Sequence, residues 1–316
     1  MRFELTLRMI PTQQQTVRKN FSFEGKGLHT GKVARVTIKP APVDFGIRFV
    51  RTDIGKDAMV EAVAENVSGT ARSTTVTAAD GVSVITIEHL MSALTGMGID
   101  NALIEIDNVE VPILDGSAKP YVDAIWKDGI VAQDAPRKYI ELDAPLEVHD
   151  EKSGASVRIE PADMPSFDIR IDFNSKVLGV QEAHWDPSVI YAEEIGICRT
   201  FVFFHEIEFL FKNNLIKGGD VDNAIVIVEH PVSAEQLDHM SKLFNVPALE
   251  RCENGYLNNL QLRFQNECAR HKLLDLMGDM RLAGGFLKAK VTAVKSGHSI
   301  NTKAARMVRE ALLNRK

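Results

Sequence analysis

The chain has 316 residues, of which 45% are hydrophobic and 25% charged, a globular composition whose length suggests two domains at roughly 150 residues each. Its net charge of −6 excludes a broad nucleic-acid surface, which needs a basic stripe, though local lysines can still bind a small anion. No apolar run approaches the ~18 residues of a membrane span, the charged N-terminus lacks a signal-peptide core, and Cys198, Cys252 and Cys268 form no CxxC pair; the cytoplasm, a reducing compartment, is the expected location.

In chain order, "ARVTIKPAP" (34–42) and "GIRFVRTD" (46–53) read as strands bounded by proline and glycine. "VSVITIEHLMSALTGMGI" (82–99) starts as a β-branched strand and turns into a helix near Thr86, ended by Gly96 and Gly98. "NALIEID" (101–107) is a strand, and 111–130 a turn and helix with Asp115 or Ser117 as cap. The polar segment 131–150, with Pro136 and Pro145, reads as a domain boundary, giving domains 1–135 and 136–316. Beyond it, 155–163 and 166–174 read as strands, 200–215 as helical, 218–229 as loop and strand, and 233–244 as a short helix. A long helix spans about 258–279, a strand and loop occupy 286–301, and a helix runs from 302. Strands followed by helices in each half define an α+β fold. "GIDNALIEI" (98–106) and "DVDNAIVIV" (220–228) faintly echo each other, as two similar halves would.

Three settings carry chemistry. His271, Asp275 and Asp279 recur every four residues, so they share one helix face. That column faces either water or a partner that needs a neutral imidazole beside carboxylates. A histidine and a carboxylate at i and i+4 can both reach one ion at about 2 Å. Glu88-His89 is either a solvated pair or a metal ligand beside a carboxylate base. His298, in "SGHSIN", is either a loop histidine or a general acid that Asp279 keeps protonated. Together they would give three protein ligands, with Glu88 as base and His298 as acid, the equipment for metal-assisted amide hydrolysis.

The blocks "GKGLHTGK" (25–32), "TIEHLMSALTGMGIDN" (86–101), "VPILDGSAKPYV" (111–122), "CRTF" (198–201), "IKGGDVDNAIV" (216–226), "RHKLLDLMGD" (270–279) and "KSGHSIN" (295–301) occur in this order. Together they resemble the UDP-3-O-acyl-N-acetylglucosamine deacetylases, metal-dependent amidases of lipid A biosynthesis. The resemblance implies two domains of similar α+β topology, layered sheet-and-helix sandwiches whose helices pack at the junction. A βαβ insert at about 194–229 would frame a passage for the substrate's acyl chain. It implies one catalytic Zn2+, with Fe2+ as the other candidate, on His89, His271 and Asp275. Glu88 would be the base, His298 the acid or electrostatic catalyst, and Asp279 its partner. Lys272 would hold substrate, Thr200 would stabilise the oxyanion, and Phe201 would pack on the sugar. Leu28, Ile207, Ile216, Gly219 and Val226 would line the passage, and Lys295 would offset substrate charge.

It further implies an acylated UDP-sugar as substrate; the acidic charge argues against a nucleic-acid partner, and a monomer is expected. The chain departs from the family in "TARSTTV" (70–76), which has no cysteine where many members carry one near the site. Some relatives also carry a fused acyl-carrier-protein dehydratase. A non-catalytic carbohydrate or nucleotide binding protein that keeps the fold would be expected to lose at least one of Glu88, His89, His271, Asp275 and His298, and all five are present. A zinc peptidase would be expected to carry HExxH, which the chain lacks.

Overall fold

The computed structural model describes residues 11–213, 217–220, 222–244 and 246–314. Among these, two sheets repeat one topology. The first runs in the order Phe21–Lys26, Val33–Pro40, Ala102–Ile106, Ile47–Arg51, Met59–Glu61. The second runs Leu146–Asp150, Ala155–Pro161, Phe286–Val294, Ser166–Asp172, Val180–Trp185. In both, the central strand is the last in sequence. It pairs antiparallel with the second strand and parallel with the third.

Alternation builds each sheet. Val36 and Ile38 point inward from Val33–Pro40, while Lys39 points outward to Glu105 at 2.6 Å. Leu287, Ala289, Val291 and Ala293 do the same for the second sheet. A helix precedes each central strand: Glu88–Gly96 in the first half and Glu267–Met280 in the second. Another follows it: Lys119–Asp128 and His298–Leu313. Ser117 Oγ takes the Lys119 N–H and itself bonds Asp115 in the turn, but the helix N-cap is Ala118 rather than either residue.

The repeat corrects one expectation. The structural counterpart of Ala102–Ile106 is Phe286–Val294, not the echo at 220–228. Ile225–Ile227 instead pairs in parallel with Phe201–Phe203, with the helix Phe204–Lys212 between them. Three boundaries also differ. The polar stretch after Gly129 is a strand, Ile130–Pro136, because Gln13–Val17 pairs with it antiparallel. The long helix starts at Glu267 rather than near 258: Leu257 and Asn258 give their N–H groups to Val226 and Glu250, which ties that stretch sideways. The terminal helix starts at His298 itself, after an extended Gly297.

The main core runs through both sheets and the helices between them. A smaller one gathers Phe204, Ile207, Val226, Val228, Met240, Leu249 and Leu257.

Candidate metal centre and active site

The helices Glu88–Gly96 and Glu267–Met280 cross where Gly278 lies on the backbone of Glu88. A Cβ at Gly278 would stand 2.2 Å from the Glu88 carbonyl oxygen and 3.1 Å from Ser92 N. Only glycine allows this approach, and it turns the column of polar residues inward: His271, Asp275 and Asp279 are each at most 2% exposed, and Glu88 and His89 are buried too. Gly278→Ala is expected to cost roughly 1–3 kcal/mol of stability through overpacking and to weaken metal binding by spreading the helices. Thermal melting and a metal titration read both effects; unchanged values would mean the crossing has slack.

His89, His271 and Asp275 each offer a ligand atom, all within 4.8 Å of one another. Asp275 Oδ1 is buried without a hydrogen-bond partner. It lies 3.6 Å from His89 Nε2 and 3.5 Å from His271 Nε2, longer than good hydrogen bonds. Ligands held tetrahedrally at about 2.0–2.1 Å from an ion stand about 3.4 Å apart, so the orphaned oxygen and both spacings fit a small divalent cation. The protonation states fit as well. His271 Nδ1 donates to the Cys198 carbonyl at 3.1 Å, which leaves Nε2 as the lone-pair atom. Burial pushes this imidazole down to about 3, so it is neutral. Burial opposes ionisation of Asp275, yet the Lys272 ammonium beside it holds its carboxyl well below the usual range. Lys272 Nζ meets Asp275 Oδ2 at 2.9 Å.

Beside this cluster stand Glu88 and His298. Burial raises the Glu88 carboxyl above its ordinary range. Its Oε2 accepts the Thr74 N–H at 3.0 Å, and its Oε1 faces His298 Nε2 at 3.8 Å, too far for a direct bond. His298 Nδ1 donates to Asp279 Oδ2 at 2.9 Å. Burial and the helix N-terminus both disfavour an imidazolium there. The Asp279 and Glu88 carboxylates outweigh burial and raise His298 to about 9. Asp279 also accepts Thr74 Oγ1 at 2.6 Å and Asn301 Nδ2 at 2.9 Å.

The "CRTF" block is pinned to the ligand helix by the buried pair Arg199–Glu267, 2.9 Å apart. That brings in Thr200 and Phe201, with Lys272 Nζ 5.8 Å from the Phe201 ring centre. Thr200, Phe201, Leu28, Ile207, Gly219 and Val226 line one apolar cavity of about 130 Å³. Ile216 lies outside the described residues. Lys295 is engaged elsewhere, its Nζ 3.0 Å from Asp172 Oδ2.

Sequence reasoning did not single out Thr74, Asn301 or Glu110. Glu110, 1% exposed, accepts the N–H groups of His29 and Thr30 at 2.9 and 2.8 Å. It also accepts the hydroxyls of Thr30 and Thr86 at 2.7 and 3.0 Å. Thr86 holds φ 61°, costly for a β-branched residue. One carboxylate thus fixes both the Leu28 wall of the cavity and the strained entry to the Glu88 helix. Gly27 leaves room for it: a Cβ there would lie 2.3 Å from a Glu110 oxygen.

Three buried side chains that could hold a cation, with Glu88 and His298 beside them, lie where the equivalent helices of two like halves cross. The family model described as "LpxC: UDP-3-O-acyl N-acetylglycosamine deacetylase" matches residues 14–244 and 246–310, and the chain belongs to that family. It is 43% identical over 300 residues, 95% of its length, to the "Bifunctional enzyme LpxC/FabZ" of Porphyromonas gingivalis. It is 41% identical over 300 residues, again 95% of its length, to the protein of the same name from Bacteroides thetaiotaomicron. It covers 65% of each of these two longer relatives. It is 40% identical over 295 residues to the "UDP-3-O-acyl-N-acetylglucosamine deacetylase" of Saccharophagus degradans, covering 92% of this chain and 88% of that one.

Proposed function

We propose that this chain hydrolyses the N-acetyl amide of UDP-3-O-(3-hydroxyacyl)-N-acetylglucosamine, releasing acetate and the free amine, the committed step of lipid A biosynthesis. The observation that carries the reading is the convergence of His89, His271 and Asp275 on one buried point beside Glu88 and His298, in a chain of this family.

His89 Nε2, His271 Nε2 and an Asp275 oxygen would hold the ion. The ion we propose is zinc; two imidazoles and a carboxylate also suit ferrous iron. When bound it supplies a Lewis acid for the acetamide carbonyl and a water of lowered pKa. Glu88, with one oxygen anchored by Thr74, takes the proton of the attacking water through the other. Thr200 donates to the developing oxyanion. His298, cationic against Asp279, stabilises that charge, and it or Glu88 protonates the leaving amine. Lys272 holds substrate near the reacting centre, and Phe201 packs on the sugar. Leu28, Ile207, Gly219 and Val226 receive the acyl chain. Lys295, in its pair with Asp172, stays a minor contributor to charge balance.

The domains we assign are 1–135 and 136–316, with the insert at 194–229. Supporting this division, Gln13–Val17 pairs with Ile130–Pro136 while Tyr139–Glu141 joins the second sheet. A cytoplasmic monomer is the expected state, and the free cysteine thiols agree with a reducing compartment. The acidic net charge agrees with a small-molecule substrate rather than nucleic acid.

Mass spectrometry of the product tests the activity: the substrate should lose one acetyl group and gain a free amine. An unchanged substrate mass, with the protein folded and metal-loaded, would refute it. A pH profile tests the roles. Activity should fall as acid protonates Glu88, above the ordinary carboxylate range because its pKa is raised, and again as base discharges His298 near 9. Removing the carboxylate in Asp279→Asn lowers the His298 pKa, so the alkaline limb of kcat/KM should move down by roughly 1–3 units. A limb that stays in place would assign it to another group.

A further inference from the structure

The apolar cavity has a far wall made by the helix Ala234–Phe244 and the loop after it: Met240, Phe244, Leu249 and Leu257 all face it. Two of these side chains face a second space as well. Met240, 3% exposed, also lines a cavity of about 380 Å³ whose other walls include His205, His230 and His239. Leu249, 7% exposed, also lines one of about 480 Å³ bounded by Leu237, Ser241 and Val246. At these two points one side chain faces both spaces.

We propose that Met240 and Leu249 set the length of acyl chain that the site accepts; the substrate's identity rests on the deacetylase reading above. An apolar cavity of about 150 Å³ stays dry and holds a ring the size of benzene, so 130 Å³ has room for only a short run of methylenes. Each methylene taken out of water is worth about fourfold in affinity (~0.8 kcal/mol). That gain ends where the chain meets the wall. A longer chain must push the wall aside or turn back into water. Met240 and Leu249 belong to the small core, separate from the core that holds the metal cluster. The wall can therefore be altered without touching the chemistry.

The test is a series of UDP-3-O-acyl-N-acetylglucosamines lengthened two methylenes at a time. Kd is read by calorimetry and kcat/KM by acetate release, on metal-loaded protein. For the native chain both should improve with length and then level off or fall. Met240→Ala joins the passage to the neighbouring cavity, so its optimum should move to longer chains, with about a tenfold gain for the longest. Met240→Trp should move the optimum to shorter chains, with the largest loss for the longest. Leu249→Ala serves as the lengthening variant should Met240→Ala fail to fold. The same optimum in all folded variants overturns the proposal. Absence of acetate release at every length from the native protein would instead remove the deacetylase reading, and the wall would still be judged by the length dependence of Kd.

Discussion

Glu88→Gln is expected to lower kcat by about 10³-fold, within the range general acid–base groups contribute, while metal content and melting temperature stay near native. The amide keeps the geometry: its oxygen can still accept the Thr74 N–H that Oε2 accepts now. What disappears is the basic oxygen that faces His298 at 3.8 Å. Glu88 is adjacent to His89 in sequence but on a different side of the helix turn, and it is not among the three residues whose ligand atoms converge. Metal analysis beside steady-state kinetics separates the cases. Loss of metal in Glu88→Gln would mean that it is a ligand and that base and ligand have been confused. Native kcat would mean that the proton goes elsewhere.

Asp275→Ala should have the other large effect, on metal affinity and turnover together. Changing a residue that only supports a ligand typically costs 10–100-fold in affinity, so removing a ligand should exceed about 100-fold. Asp275 supplies the one anionic oxygen of the three, the atom left without a partner at 3.5 and 3.6 Å from the two imidazoles. Its loss also strips Lys272 of the carboxylate it bonds at 2.9 Å, leaving two imidazoles beside an ammonium with no carboxylate between them. Such a site repels a cation. Metal retained at native affinity in Asp275→Ala would show that the cation sits elsewhere.

Most of the fold, and the residues that come together as candidate ligands, were legible in the sequence, for local reasons. Period-two alternation marks Val33–Pro40 and Ser166–Asp172, and four-residue spacing marks His271, Asp275 and Asp279 as one column. Spacing could not say which way that column faces. Gly278 decides that by admitting the Glu88 backbone, a contact between distant segments that the spacing does not reveal. The supports were hidden for the same reason: Thr74 reaches Asp279 across 205 residues of sequence, and Glu110 holds a loop 80 residues away. His298 read as a loop residue because Gly297 interrupts the pattern, yet an extended glycine is also how a helix can begin. The edge strand Val180–Trp185 escaped notice because its outward face is polar and charged, as edges that avoid aggregation are. The far wall of the cavity lies beyond the expected insert at 194–229. Nothing in the apolar spacing of the helix Ala234–Phe244 distinguishes a passage wall from ordinary core.

The measurement that bears most directly on the central claim is acetate release from UDP-3-O-(3-hydroxyacyl)-N-acetylglucosamine by chelator-stripped protein, before and after zinc is restored to one ion per chain. No release from the stripped protein and full recovery on restoring that single ion are expected. Release that survives stripping, or none from folded protein with zinc bound, would contradict that claim.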